Sequence, residues 1–208
     1  MVGEEPQLEP YNEEHAKYLQ RKAERMARLR GELEQLGLTT ESRPLTLEIG
    51  CGHGHWLTAY AAAHPDEFCL GLDLVTHRIN RCWKKVRRME LENCVFMKAE
   101  AMEVMAAMPE CVRLAKSFLL FPDPWPKNKH RKKRLVQKEF LTQLASFQGP
   151  GTRFYFRTDH EVYFKWTHKH LVEHAQWQID PSIEWPFEEE SWFQGILGDY
   201  QSMVSVRV

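Results

Sequence analysis

The sequence predicts an α/β protein built on a mostly parallel, doubly wound sheet. Three observations carry that expectation. From residue 45 onward, short apolar runs of strand length alternate with helical periodicities. The first two runs are closed by glycines and by an aspartate, as strand ends feeding a loop should be. The 208 residues suffice for one full α/β domain and leave a second one cramped. Residues 1–208 are therefore expected to form a single domain, with residues 1–37 as an N-terminal helical extension.

The elements follow in order. Residues 12–36 read as an amphipathic helix: Leu19, Ala23, Met26, Leu29, Leu33 and Leu36 recur at three- or four-residue spacing, and Gly37 stands where a helix ends. Its other face carries Lys17, Arg21, Lys22, Arg25, Arg28 and Arg30. Residues 45–49 form the first strand, and a helix runs through Trp56, Leu57, Tyr60 and Ala63 until Pro65. Residues 68–72 form the second strand, ending at Asp73, and Thr76 is the expected N-cap of a basic helix through Ile79, Trp83 and Val86. Further strands are expected at 95–97, 117–121 and, after the Gly149-Pro150-Gly151 break, 153–156. At the end, Val204, Val206 and Val208 alternate with Ser205 and Arg207, a strand of period two.

Composition bounds the function classes. Hydrophobic residues make up 43% and charged residues 27%, the mixture of a globular protein in water. No apolar stretch reaches membrane-span length and residues 1–11 are acidic, so a cytoplasmic protein without a membrane is expected. The five cysteines are scattered and form no C-x-x-C pair, which argues against a disulfide scaffold or a zinc site. His53 with His55 and His168 with His170 are spaced by two, which on a helix points them apart, so no metal is expected.

The sharpest local signal is Glu48-Ile49-Gly50-Cys51-Gly52-His53-Gly54, at a strand-to-helix turn. Its spacing is G-x-G-x-G, whereas a pyrophosphate site favours G-x-G-x-x-G. Glu48 would repel a pyrophosphate but suits a ligand with a cationic end, such as the ammonium and sulfonium of S-adenosylmethionine. Gly50, Gly52 and Gly54 let such a ligand lie against the main chain. Asp73, about 20 residues past the glycines, is placed to accept hydrogen bonds from ribose hydroxyls. Glu100 and Ala101, after the third strand, are candidates for the adenine edge; an acidic residue there also suits a helix start.

The fourth strand leads into Phe121-Pro122-Asp123-Pro124-Trp125-Pro126-Lys127. Alternating prolines stiffen the loop, so it can hold an aspartate and an aromatic ring in fixed places. Lys127, Lys129, His130, Arg131, Lys132, Lys133 and Arg134 follow; in a chain of net charge -1 this density is a candidate footprint for phosphate. Arg78, Arg81, Lys84, Lys85, Arg87 and Arg88 are expected to extend it, and Trp125 is read either as a stacking ring for a flipped base or as core.

These motifs resemble the bacterial tRNA (guanine-N7)-methyltransferases. The likeness rests on E-I-G-C-G-H-G, G-L-D-L, F-P-D-P-W-P-K with the basic stretch to Val136, and Arg157-Thr158-Asp159, over roughly residues 45 to 165. The resemblance implies a Rossmann-like class I methyltransferase fold with an antiparallel C-terminal strand. It further implies S-adenosyl-L-methionine as cofactor, tRNA as partner and methylation of guanine N7. Glu48, Asp73, Glu100 and Asp123 would line the cofactor pocket, Asp123 also being catalytic, and Lys127 and Asp159 would contact substrate. Where the family has Thr-x-aromatic-Glu before the last strand, this chain has Ser191-Trp192-Phe193-Gln194, a neutral amide for a carboxylate. Ser191 and Gln194, with His130, Arg131 and Arg134, complete the expected substrate side. An RNA amino-group methylase and a non-catalytic RNA-binding module on the same fold remain open alternatives, as does the choice between monomer and homodimer.

Overall fold

A computed structural model describes residues 10–37, 44–188 and 199–208. Ser191 and Gln194 lie outside them. Seven strands form one sheet: β1 (Leu45–Ile49), β2 (Phe68–Asp73), β3 (Cys94–Lys98), β4 (Leu114–Leu120), β5 (Arg153–Thr158), β6 (Trp177–Ile179) and β7 (Gln201–Arg207). Their order is β3-β2-β1-β4-β5-β7-β6; β1 to β5 are parallel, and β7 runs antiparallel to both neighbours.

The interior strands β1, β2, β4 and β5 are largely buried because helices cover both faces. In β5, Phe154 and Phe156 join one hydrophobic cluster and Tyr155 joins the other, the period-two alternation of a strand. Helices α1 (Pro10–Gln35), α4 (Ala101–Ala107), α5 (Lys138–Phe147) and α6 (Glu161–Val172) serve the first cluster, and α2 (His55–Ala63) and α3 (Thr76–Arg88) the second.

Four details depart from the sequence reading. The helix after β2 begins at Thr76, but its cap position is Val75 and no side chain caps it. Asp73 takes that part instead, its Oδ1 accepting from the Val75 N–H at 2.8 Å. Only the second half of α1 packs: Leu29 and Leu33 are buried, while Leu19 is 49% exposed. Burying those two leucines stabilises the docked helix by about 1.5–3 kcal/mol each, and a bidentate Arg25–Glu103 pair to α4 fixes its direction. The alternation in β7 does not mark one wet face. Met203, Val204 and Ser205 are all buried because β7 lies between β5 and β6, and Val208 lies past the strand end, 51% exposed. Finally, β6 gave no periodicity to read, being three residues long.

The strand order reverses between β1 and β4, whose connections leave in opposite directions. In open α/β sheets, a crevice opens at the carboxyl ends of the strands at such a point.

Candidate active site

The turn after β1 is built by two backbone bonds, from Gly50 N–H and Cys51 N–H to the Leu72 carbonyl, at 2.8 and 2.9 Å. Gly50, Gly52 and Gly54 all have positive φ, at 74°, 54° and 67°. They differ in surroundings. A Cβ on Gly54 would meet Cys82 Sγ at 2.8 Å and Phe96 at 2.9 Å, so that position is closed by packing. A Cβ on Gly50 would meet nothing within 4 Å, leaving its backbone open to a ligand.

Glu48 stands at the end of β1 opposite Phe118 of β4, and is 3% exposed. Its Oε2 is buried without a hydrogen-bond partner among the described residues. Burial, and then the nearby Asp73 carboxylate, push its carboxyl up to about 8. Such a group is neutral at neutral pH until a cation arrives to favour its charged form. Asp73, also buried, accepts from Gly52 N–H at 3.1 Å and from Arg78 Nη1 at 3.3 Å. The Glu100 side chain caps α4, accepting from Glu103 N–H at 2.9 Å, and Ala101 is buried at the start of that helix. These acids occupy the carboxyl ends of β1, β2 and β3, the positions along the sheet that the sequence predicts for them.

Helix α3 is strapped to the glycine turn. Cys82 Sγ reaches the Gly52 carbonyl at 3.4 Å, Lys85 Nζ donates to the His53 carbonyl at 2.8 Å, and Arg81 Nη1 lies 3.4 Å from His53 Nε2. Burial lowers Lys85 to about 8, with Arg88 and Arg81 adding to the shift. Three cations expected to extend an RNA footprint (Arg78, Arg81 and Lys85) thus have intramolecular partners, whereas Lys84, Arg87 and Arg88 are exposed.

The next strand end carries the proline loop. Phe121 and Trp125 both have positive φ, at 48° and 42°, unusual for bulky residues. Phe121 N–H is held by the Arg157 carbonyl at 2.8 Å. Asp123 is exposed, as is Asp159 past the end of β5. Trp125 is half-buried, with Lys133 Nζ 4.7 Å from its ring centre and His130 edge-on at 5.8 Å, so it is neither core nor an open platform. A short 3-10 helix, Asn128–Lys133, displays Lys129, Arg131, Lys132 and Lys133 to solvent, and Lys127 precedes it, also exposed.

Arg134 breaks that pattern. It is 1% exposed, and its guanidinium donates to the Pro124 and Trp125 carbonyls at 2.8 and 3.5 Å. The expectation that it meets RNA is corrected: packing turns it inward. Arg157 also escaped attention as a site residue. It is 3% exposed, lies 4.0 Å from the Trp185 ring and 4.6 Å from that of Tyr200, and pairs with Glu188 at 2.9 Å. An arginine inside the apolar run F-Y-F-R-T was its signal. Glu188 is thereby engaged with the sheet.

Among the described residues no group of three or more His, Cys, Asp or Glu is arranged to hold a metal, and no helix is long and apolar enough to cross a membrane. A cavity of about 610 Å³ against α6, β6 and β7, lined among others by Phe164, His168 and Trp177, includes none of the expected site residues.

Known proteins match this architecture. Residues 42–196 fit the family described as "Putative methyltransferase". A tRNA (guanine-N(7)-)-methyltransferase of Caulobacter vibrioides is 30% identical over 158 residues, covering 76% of this chain and 67% of the relative. The chain belongs to the tRNA (guanine-N7)-methyltransferase family. Another member, from Roseobacter denitrificans, is 34% identical over 146 residues, 70% of this chain and 62% of that one. The chain thus spans about two thirds of the length of these family members. Among solved structures, the 16S rRNA methyltransferase KamB superposes with a TM-score of 0.59 at 16% identity, covering 85% of this chain and 93% of that one, a likeness of fold.

Proposed function

We propose that this protein transfers a methyl group from S-adenosylmethionine to ring nitrogen seven of a guanine in tRNA, forming 7-methylguanosine, and that it does so in the cytoplasm as one catalytic domain. One juxtaposition carries the reading. A buried carboxyl with one oxygen unpartnered among the described residues stands at the end of β1, and the neighbouring strand β4 leads into a stiff loop with an exposed aspartate and exposed cations.

The residues fit the cofactor. The open backbone at Gly50 and the orphaned Glu48 oxygen suit a ligand with a cationic end, and Asp73 has the position for ribose hydroxyls. Glu100 and Ala101 flank the adenine end of this reading. S-adenosylmethionine supplies, when bound, an electrophilic methyl group on sulfur.

Guanine N7 has an exposed lone pair and no proton, so the chain need provide no general base. Its work is orientation and charge. Orientation contributes on the order of 7–11 kcal/mol in well-aligned reactions. Asp123 faces a purine that gains positive charge, and a fixed carboxylate stabilises that charge as it develops. Asp159 accepts hydrogen bonds from the guanine N–H groups. Lys127, Lys129, His130, Arg131 and Lys133 hold the phosphate backbone.

The test is to incubate the protein with bulk unmodified tRNA and methyl-labelled S-adenosylmethionine, digest, and identify the labelled nucleoside. 7-Methylguanosine is expected. Label on an exocyclic amino group would replace this reading with the amino-methylase alternative. Salt-sensitive binding without any label would leave only an RNA-binding module.

A further inference from the structure

Arg134 lies in a run of six lysines and arginines, yet it is the one enclosed by protein. Its guanidinium lies 5.2 Å from the ring centres of both Tyr163 and Trp166 on α6. Those rings are themselves anchored: Trp166 Nε1 donates to the Val136 carbonyl at 2.7 Å, and the Tyr163 hydroxyl meets Val136 N–H at 3.4 Å. From this slot Arg134 Nε donates to the Pro124 carbonyl, directly after Asp123, and Nη2 reaches the carbonyl of Trp125, one of the loop's two left-handed residues. Its own carbonyl accepts from Gln137 Nε2 at 2.7 Å. Nη1 is buried and has no partner among the described residues, so no face of the group is open to a phosphate.

We infer that Arg134 is a positioning residue that ties the Asp123 loop to α6, the helix whose start follows Asp159. It thereby sets the spacing of the two substrate-facing carboxylates. Proline stiffness alone does not fix where the loop sits; a fork of donors clamped between two rings does. A guanidinium is suited to this because its rigid planar fork stacks on aromatic faces while aiming donors at two carbonyls, whereas a lysine offers a flexible point charge.

The inference rests on the proposed methyl transfer, so its test needs readouts that survive the failure of that reading. Arg134→Met and Arg134→Lys are compared with the wild type. The first readout is hydrogen exchange at the Asp123, Trp125 and Lys127 amides, which needs no activity. The others are kcat, KM for tRNA, and the salt dependence of tRNA binding.

Arg134→Met is expected to exchange faster at those amides and to lose about 10²-fold in kcat, the scale of an ångström-size misplacement. Its KM and salt slope are expected to stay within twofold. Arg134→Lys is expected to recover part of both losses through one carbonyl bond, and it decides the matter if the methionine variant does not fold. A salt slope reduced by about 0.7–0.9, with kcat intact, would make Arg134 a phosphate ligand and overturn the inference. Unchanged exchange at the loop would overturn it as well. A wild type without methyl transfer would defeat the proposed function, while the exchange measurement still judged Arg134.

Discussion

Two sets of carboxyl groups line the same sheet edge, and they are kept in opposite states. On β1 and β2, Glu48 and Asp73 are buried at 3% and 6% exposure; past the ends of β4 and β5, Asp123 and Asp159 are exposed. A charge on Glu48 is costly without a cation, because the group is buried and lies near Asp73, which already has Arg78 Nη1 at 3.3 Å. The exposed pair is solvated and gains only when something dry and polar closes over it. The contrast divides the site into a half prepared for a small cationic ligand and a half prepared for a base on a polyanion.

The largest expected effect breaks the exposed half. Asp123→Ala is expected to lower kcat by about 10²–10³-fold, the scale of losing one preorganised electrostatic group. Affinity for S-adenosylmethionine, measured by calorimetry, should stay unchanged. Unaltered turnover would remove Asp123 from the chemistry.

Next in size is the cationic display beside it. Replacing Lys129, Arg131, Lys132 and Lys133 together with alanine should weaken tRNA binding on the order of 10²-fold at physiological salt. The log–log salt slope should become shallower by about 0.7–0.9 for each phosphate that is no longer neutralised. Filter binding across a salt series reads this, and the same variant should bind S-adenosylmethionine as before. An equal loss of cofactor binding would erase the division between the halves.

The buried half is sharpened by pH. The Glu48 carboxyl keeps its proton in the folded protein up to about pH 8, whereas the unfolded chain releases it near 4.5. Its contribution to stability is therefore complete below about pH 4.5 and is lost as pH rises through 8. The melting temperature of the free protein should fall over that window for this reason, and Glu48→Gln should flatten the decline.

The smallest effects separate two glycines in one turn. Gly54→Ala should destabilise by about 1–3 kcal/mol from overpacking against Cys82 and Phe96, on top of the left-handed backbone penalty it shares with Gly50. Gly50→Ala, with open space around it, should show chiefly the left-handed backbone penalty of about 1–2 kcal/mol. Denaturant titration compares them.

Much of this edge was legible in the chain. Strand-and-helix alternation, read with the glycine and proline motifs, put Glu48, Asp73, Glu100 and Asp123 at successive strand ends of the sheet. The proline loop announced its stiffness by composition. Charge, by contrast, does not disclose its partner. Arg78 and Lys85 have the same letters as Lys84 and Arg88, yet the first two bind the glycine turn or its aspartate; only packing decides which face of α3 meets that turn. Arg134 is disguised by five cationic neighbours, and its slot is made by Tyr163 and Trp166, about thirty residues downstream. Leu19 fits the apolar stripe of α1 as well as Leu33 does, but periodicity does not say how far the body extends beneath a helix.

The most direct measurement titrates S-adenosylmethionine into the protein at pH 7 in two buffers of different ionisation enthalpy. The account predicts binding accompanied by release of about one proton, because a donor cation lowers the Glu48 carboxyl from about 8, and predicts that Glu48→Gln abolishes that release. Well-folded protein that takes up no S-adenosylmethionine, or binds it with no proton exchanged, would contradict it.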